Sequence, residues 1–212
     1  APPKGEGVAT HVLGVSDITG DTNPLKAGAS CTTNSVALPV KIIHETFTIK
    51  KALLTTVHAY TADQELVDAP HKDLRRGRAA AENIVPTTTG AAVATTLVIP
   101  ELAHLFDGIA LRVPVPAGSV SDITMLLGRK TTVEEVNAVL EKAAELPQNK
   151  GILAVSREPI VSSDILKTTY SGIIDAPMTK VIDGDLVKIL SWYDNEWGYT
   201  YRLIEAVIAS MT

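Results

Sequence analysis

The stretch from Ala29 to Phe47 constrains this chain most, because it combines a long helical pattern with the one residue able to act as a strong nucleophile. Its head, Ala29-Ser30-Cys31-Thr32-Thr33-Asn34-Ser35, is small and rich in hydroxyls. Its tail puts Val36, Leu38, Val40, Ile42, Ile43 and Phe47 at roughly helical spacing. The pattern predicts a helix from Cys31 to about Thr48. Pro39 falls inside it, where proline normally kinks or interrupts a helix. Cys31 is the only cysteine in 212 residues. At a helix start the macrodipole and free backbone N–H groups favour a thiolate. The other reading of a lone cysteine is a small, buried apolar side chain.

The surrounding segments set the fold class. Residues 8–15 alternate and read as a strand, and 16–28 read as a loop. Ala52 to Tyr60 is strongly strand-like. A polar, charged stretch from Thr61 to about Asn83 is too long to be a simple connection, which marks it as functional or as an interface element. Thr87-Thr88-Thr89-Gly90 precedes a helical run from Ala91 to about Val98. Residues 109–115 and 119–129 read as strands, and Thr132-Val133-Glu134-Glu135 as a capping box opening a helix that ends before Pro147. Short strands follow at about 152–155, 168–174, 178–182 and 186–193, with Asp183-Gly184 as a hairpin turn. A last helix carries Leu203, Ile204, Val207 and Ile208. Helices interleaved with about eight strands imply an α+β domain: a mixed, largely antiparallel sheet with helices on one face. Neither G-x-G-x-x-G nor a Walker A sequence occurs, so a dinucleotide fold of the usual kind is not encoded.

Composition removes several classes of function. A net charge of −5, from 19 basic and 24 acidic residues, argues against nucleic-acid binding or an anionic membrane surface. One cysteine excludes an intrachain disulfide framework and a cysteine-rich zinc site, and it suits a reducing cytoplasm. No metal site is expected. The charge-free stretch Asn83 to Pro100 holds five Thr and two Pro and is too polar to span a membrane. The opening Ala1-Pro2-Pro3-Lys4, without an initiator methionine, reads as a piece of a larger protein.

If Cys31 is a nucleophile it needs a base. His58, near the end of an apolar strand, is the best candidate; it also reads as a core histidine satisfied by backbone. His11, His44, His71 and His104 read as solvated or structural. Arg75-Arg76-Gly77-Arg78 suits a phosphate or carboxylate clamp, or else a solvated loop or a subunit salt bridge. Arg112, between apolar neighbours, requires an anion, either an internal carboxylate or a substrate phosphate. Thr87-Thr88-Thr89-Gly90 at a helix start fits a phosphate cradle, although any capped helix looks similar. Taken together, these features suit a thiol enzyme acting on a phosphorylated substrate.

Those same residues resemble phosphorylating glyceraldehyde-3-phosphate dehydrogenases. Ala29-Ser30-Cys31-Thr32-Thr33-Asn34 is similar to that family's active-site signature. It is followed in order by Thr55-Thr56-Val57-His58-Ala59-Tyr60-Thr61, Asp73 to Arg78, Pro86 to Ala92, Leu111-Arg112-Val113-Pro114 and Ser191 to Tyr199. The likeness spans the chain but only the family's C-terminal catalytic half, so 1–212 is expected to be one catalytic domain without the Rossmann half. Its last residues, 195–212, would form the helix that in the family packs toward the dinucleotide-binding domain.

The resemblance implies Cys31 as nucleophile, passing through a thiohemiacetal and a thioester, with His58 as base. It implies Thr61 and Arg112 on the substrate phosphate, and Ser30, Thr32, Thr89, Gly90 and Arg76 on the attacking phosphate. Asn195 and Tyr199 would lie beside the nicotinamide of NAD. It further implies glyceraldehyde 3-phosphate and inorganic phosphate as substrates, a homotetramer, and the 61–83 loop lining neighbouring subunits' cofactor sites. Ser35 departs from the pattern, standing where many members carry a second cysteine, and 16–28 is short and divergent. Two alternatives stand beside this reading. One is erythrose-4-phosphate dehydrogenase. The other is an isolated domain that keeps a reactive thiol and phosphate sites but transfers little or no hydride.

Overall fold

The computed structural model describes residues 7–211; Ala1 to Lys4 lie outside the described residues. In chain order the elements are β1 (Ala9–Thr10), β2 (Lys26–Ala27), α1 (Cys31–Phe47), β3 (Ile49–Ala59), β4 (Val85–Thr88), α2 (Ala91–Val98), β5 (Phe106–Val113), β6 (Ser119–Leu127), α3 (Val133–Ala144), β7 (Leu153–Ser156), β8 (Gly172–Asp175), β9 (Lys180–Ile182), β10 (Leu186–Tyr193) and α4 (Trp197–Ala209). Eight strands form one sheet in the order β4-β5-β3-β6-β10-β8-β7, with β9 also paired to β10. Within this sheet β3/β5 and β7/β8 are parallel and the other pairs antiparallel. This is the mixed, largely antiparallel α+β sheet that the sequence implies.

Strand alternation buries one face against the helices. Ala52, Leu54, Thr56 and His58 of β3 point inward, as do Ser121, Ile123 and Met125 of β6 and Val187, Ile189, Ser191 and Tyr193 of β10. The opposite face stays open, with Leu53 65% and Ile109 50% exposed. Along each inward row the residues turn from apolar to hydroxyl-bearing toward one end. Leu54 leads to Thr56 and His58, Ile123 to Ser121 and Ser119, and Ile189 to Ser191 and Tyr193. The core therefore becomes polar where α1 begins.

Helix α1 lies on this face, and every residue from Thr32 to Val40 is buried. Its start is capped by Ser30, whose Oγ accepts from the Thr33 N–H at 3.1 Å. Pro39 does not interrupt it. Proline has no N–H to offer the Ser35 carbonyl, and the hydroxyl of Ser191 on β10 donates to that oxygen instead, at 3.0 Å. The Ser35 and Ser191 hydroxyls are themselves 2.9 Å apart. Gly172 on β8 permits the approach: a Cβ there would sit 2.7 Å from Ser191 Oγ and 2.9 Å from Ser35 O. Helix α3 opens on the expected cap, Thr132 Oγ1 accepting from the Glu135 N–H at 3.2 Å.

Near the N-terminus the expected strand over 8–15 shortens to Ala9–Thr10. The Val12 carbonyl accepts from the N–H groups of Val15 and Ser16, and Gly14 takes a φ of 83°, so the chain turns there. The segment read as a loop over 16–28 contains β2, pairing parallel with β1. His11 and Asp21, 2.7 Å apart, hold that return.

Replacing Ser191 with Ala is expected to cost about 1–3 kcal/mol, the range for stranding a buried carbonyl, read as a lower urea midpoint. The cost should shrink in a Pro39→Ala background, where residue 39 regains an N–H for the Ser35 carbonyl.

Candidate active site

Cys31 is the first residue of α1. The turn that delivers it is unusual, because Ala29 holds a φ of 56°, in the left-handed region. Asn34 Nδ2 donates to the carbonyls of Gly28 and Ser30 at 2.7 and 2.9 Å, and the Tyr199 hydroxyl donates to the Ala29 carbonyl at 3.0 Å. These bonds secure the strained turn from both sides. Across from it, at the end of β3, His58 Nε2 lies 3.5 Å from Cys31 Sγ.

A helix start favours a thiolate, but here burial outweighs it and pushes the Cys31 thiol up, against the lowering pull of Thr32 and Arg112. Burial, and then the Arg112 charge, lower His58 to about 4. Burial thus works against charge on both groups, the thiolate and the imidazolium.

Tyr193 sets the spacing of the pair. Its buried hydroxyl lies 2.8 Å from Thr32 Oγ1, next to Cys31 in sequence, and 2.8 Å from Thr56 Oγ1, two residues before His58. Its ring meets the His58 ring edge-on, with centroids 5.9 Å apart. Burial raises its phenol, so it remains a neutral hydrogen-bonding group. Tyr193 escaped the sequence reading. The signals available were its place within the Ser191 to Tyr199 stretch and its position two residues past Ser191, on the inward face of β10.

A cavity of about 420 Å³ opens beside Cys31 and gathers Ser30, Thr32, His58, Thr61, Arg76, Thr89, Gly90, Arg112 and Tyr199. Arg112 forms no ion pair with an internal carboxylate among the described residues. Its Nη1 donates to Thr61 Oγ1 at 2.9 Å, and its Nε is buried without a hydrogen-bond partner. Arg76 is delivered by the 61–83 loop, which folds on itself through Glu65 N–H to Arg76 O and Ala69 N–H to Gly77 O. Gly77 is required there, since a Cβ would sit 2.6 Å from the Ala69 carbonyl. Burial and the Arg112 charge both lower Arg76, as expected of two guanidiniums sharing one pocket. Of the basic run only Arg76 lines the cavity; Arg78 pairs outward with Asp68 at 3.1 Å. Asp63 also lines the cavity. It accepts from the Thr61 hydroxyl and pairs with Arg76. It was not singled out from the sequence, where one acidic residue in a charged loop carries no distinguishing pattern.

Thr89 and Gly90 open α2, where Thr89 Oγ1 accepts from the Ala91 N–H at 3.2 Å. The Thr32 hydroxyl is committed to Tyr193. Asn195 stands apart from the cavity-lining set. Its Oδ1 accepts from the Gly118 N–H and the Ser119 hydroxyl, both at 3.0 Å, so its amide orientation is fixed and its Nδ2 is the end left to donate. The other histidines stay out of the site: His44 Nδ1 accepts from the Ile49 N–H at 3.1 Å, and His71 Nδ1 accepts from the Asp73 N–H at 2.9 Å. Among the described residues no cluster of His, Cys, Asp or Glu is placed to hold a metal, and no helix is long and apolar enough to cross a membrane.

A family profile described as glyceraldehyde 3-phosphate dehydrogenase, C-terminal domain, matches residues 30–195. Glyceraldehyde-3-phosphate dehydrogenase 2 of Streptomyces avermitilis is 52% identical over 212 residues, covering 98% of this chain and 62% of that protein. The glyceraldehyde-3-phosphate dehydrogenase of Geobacillus stearothermophilus is 53% identical over 214 residues, covering 99% and 63%. That of Borreliella burgdorferi is 52% identical over 207 residues, covering 96% and 61%. The chain spans a little over three fifths of the length of these relatives. It belongs to the glyceraldehyde 3-phosphate dehydrogenase family, as the C-terminal domain.

Two outcomes follow from this geometry. Tyr193→Phe should lower stability by about 1–3 kcal/mol by stranding the buried Thr32 hydroxyl and leaving Thr56 only its 3.4 Å bond to the Val120 carbonyl. Adding Thr56→Val to it should cost less than Thr56→Val alone, because the two positions share one hydrogen-bond network. His58 is held near 4 in the fold against 6.5 in the unfolded chain. The unfolded state therefore gains a proton first on acidification. Stability is full above pH 6.5 and falls by about 3 kcal/mol as pH drops toward 4. Denaturation midpoints across that range should show the loss, and His58→Gln should flatten that part of the profile.

Proposed function

We propose that this member of the family is the catalytic domain of a cytoplasmic, NAD-dependent enzyme that oxidises glyceraldehyde 3-phosphate, with inorganic phosphate, to 1,3-bisphosphoglycerate. One observation carries the reading: Cys31 Sγ lies 3.5 Å from His58 Nε2 at the head of a cavity lined by Arg76 and Arg112. A nucleophile, its base, Arg112 without a carboxylate partner among the described residues and Arg76 paired with Asp63 and Asp73 at the cavity edge match a phosphorylated aldehyde.

Cys31 Sγ adds to the aldehyde carbon while His58 takes the thiol proton and passes it to the carbonyl oxygen, giving a thiohemiacetal. The Cys31 backbone N–H and His58 are the donors at hand for negative charge on that oxygen. NAD, when bound, supplies the hydride acceptor. The residues fit it, since Asn195 has only its Nδ2 free to meet a carboxamide oxygen and the Tyr199 ring lines the Cys31 cavity. As the carbon is oxidised, His58 takes the hydroxyl proton and a thioester remains on Cys31. A phosphate oxygen then attacks the thioester carbonyl and the C–S bond breaks. Cys31 recovers its proton from His58, and the acyl phosphate departs.

Thr61 and Arg112 hold the substrate's own phosphate. Ser30, Thr32, Thr89, Gly90 and Arg76 hold the attacking one, with Thr32 contributing its backbone N–H while its hydroxyl bonds Tyr193. Residues 195–212 dock against a dinucleotide-binding domain. This is supported by the outward face of α4, where Ile204, Val207 and Ile208 are each more than half exposed. The open sheet face around Leu53 and Ile109 supports assembly into a homotetramer.

Acetyl phosphate tests the last step in reverse without any cofactor. The Cys31 thiol should displace phosphate and gain one acetyl group, read by intact mass. Cys31→Ala should abolish the adduct, and His58→Gln should slow it by about 10²–10⁴-fold, the range for positioned proton transfer. Acetylation at another residue, or an unchanged rate in His58→Gln, would refute the assignment. NADH formation from glyceraldehyde 3-phosphate, phosphate and NAD tests the full reaction.

A further inference from the structure

We propose that Asp63 makes the Arg76 side of the cavity selective for an oxyanion that carries its own hydrogen. Inorganic phosphate is then taken as the acyl acceptor, and sulfate, of like shape and charge, is passed over. This rests on the reading given above, in which Arg76 holds the attacking phosphate.

A carboxylate is out of place in a pocket for two phosphates. Outside the Cys31–His58 pair, the charged groups lining the cavity are the guanidiniums of Arg76 and Arg112 and the carboxylate of Asp63. The guanidiniums exceed the carboxylate by a single charge, and Asp63 repels any anion that comes near it. An ionised carboxylate accepts hydrogen bonds and cannot donate one. Its effect turns from repulsion to attraction only toward an anion that presents an O–H.

Two contacts hold Asp63 in that place. Its Oδ1 accepts from the Thr61 hydroxyl, and its Oδ2 pairs with Arg76 Nη1. Thr61 Oγ1 in turn accepts from Arg112 Nη1 at 2.9 Å, so the one hydrogen of that hydroxyl belongs to Asp63. Arg76 Nε faces Asp73 at 3.4 Å. Asp73 lies outside the cavity lining, and its Oδ1 accepts from the Arg75 N–H at 3.0 Å. Arg76 Nη2 has no partner among the described residues and is the donor left for an anion. An anion at Arg76 thus meets one free guanidinium nitrogen and a carboxylate beside it.

The two phosphates of the reaction differ in the property that Asp63 reads. A phosphate ester loses its last hydrogen at about pH 6, whereas inorganic phosphate keeps one through the neutral range. Arg112, without a carboxylate partner among the described residues, suits the ester. Arg76 with Asp63 beside it suits the free phosphate. Asp63 is in this sense a specificity-determining residue, choosing the acceptor by its hydrogen where size and charge do not distinguish it.

Anion titration of the ¹³C-arginine-labelled chain at about pH 8 and constant ionic strength tests the proposal. There inorganic phosphate is mainly a dianion that keeps one hydrogen, and sulfate is a dianion that keeps none. The Arg76 ¹³Cζ signal, identified by its loss in Arg76→Lys, reports occupancy. The wild-type chain is expected to bind phosphate roughly 10- to 100-fold more tightly than sulfate, the span of one hydrogen bond to a charged acceptor. Asp63→Asn keeps the shape and removes the charge; it should tighten sulfate and erase most of that ratio. Equal wild-type affinities, or a ratio unchanged in Asp63→Asn, overturn the inference and leave Arg76 as a phosphate site. Both anions weakened alike in Asp63→Asn would mark the carboxylate as structural only, which also overturns it. If neither anion moves the Arg76 signal, the phosphate-site reading falls as well. Asp63→Ser takes the same test if Asp63→Asn does not fold, and an even wild-type ratio refutes the proposal without any variant.

Discussion

The grip of β10 on α1 is the contact on which the rest of the site depends. Ser191 and Tyr193 are two apart on one face of a strand, and Ser35 and Thr32 are three apart on one face of a helix. The two periodicities bring both pairs into register, so a single strand holds the helix at two points near its start. The upper contact reaches on to Thr56 and so fixes β3 and His58 as well. The lower contact supplies the hydrogen bond that Pro39 cannot make. A buried, proline-containing helix thereby presents Cys31 to His58 with little freedom to drift.

Burial gives that pair its chemistry. An exposed thiol and imidazole would exchange a proton with water as readily as with each other. Here desolvation raises one and lowers the other, so burial opposes charge on both. Arg112 adds charge without neutralising either. It favours a thiolate and opposes an imidazolium, while its own Nε lacks a partner. Two arginines, the carboxylate of Asp63 and the Cys31–His58 pair line one cavity, in which Arg112 has no carboxylate partner among the described residues.

Much of this was legible in the chain. The strand-forming rows, the Thr132 cap, the helix starting at Ala91 and the antiparallel sheet all follow from local pattern. So does the pairing of Cys31 with His58 as candidates, since one sits at a helix start and the other at a strand end. Less local features were not legible. Residue type in Arg75-Arg76-Gly77-Arg78 does not say that only Arg76 turns inward; the family resemblance singled it out, and the fold-back of the 61–83 loop is what delivers it. Val8 to Val15 alternates like a strand, yet Val12 spends its carbonyl on a turn. Tyr193 looks like any inward strand residue until its two hydroxyl partners are in view.

The sequence by itself determined the reactive side chains, the secondary structure that carries them and the family to which they belong, because each is written in local spacing and residue type. Tertiary structure decided the direction in which Cys31 and His58 are shifted, the contacts of Arg112 and the survival of α1 through Pro39. The physical reason is common to all three. Desolvation, the hydrogen bonds of Arg112 to the end of β3 and the rescue of an orphaned carbonyl depend on groups far apart in the chain, 156 residues in the case of Ser35 and Ser191, and they exist only once those groups meet.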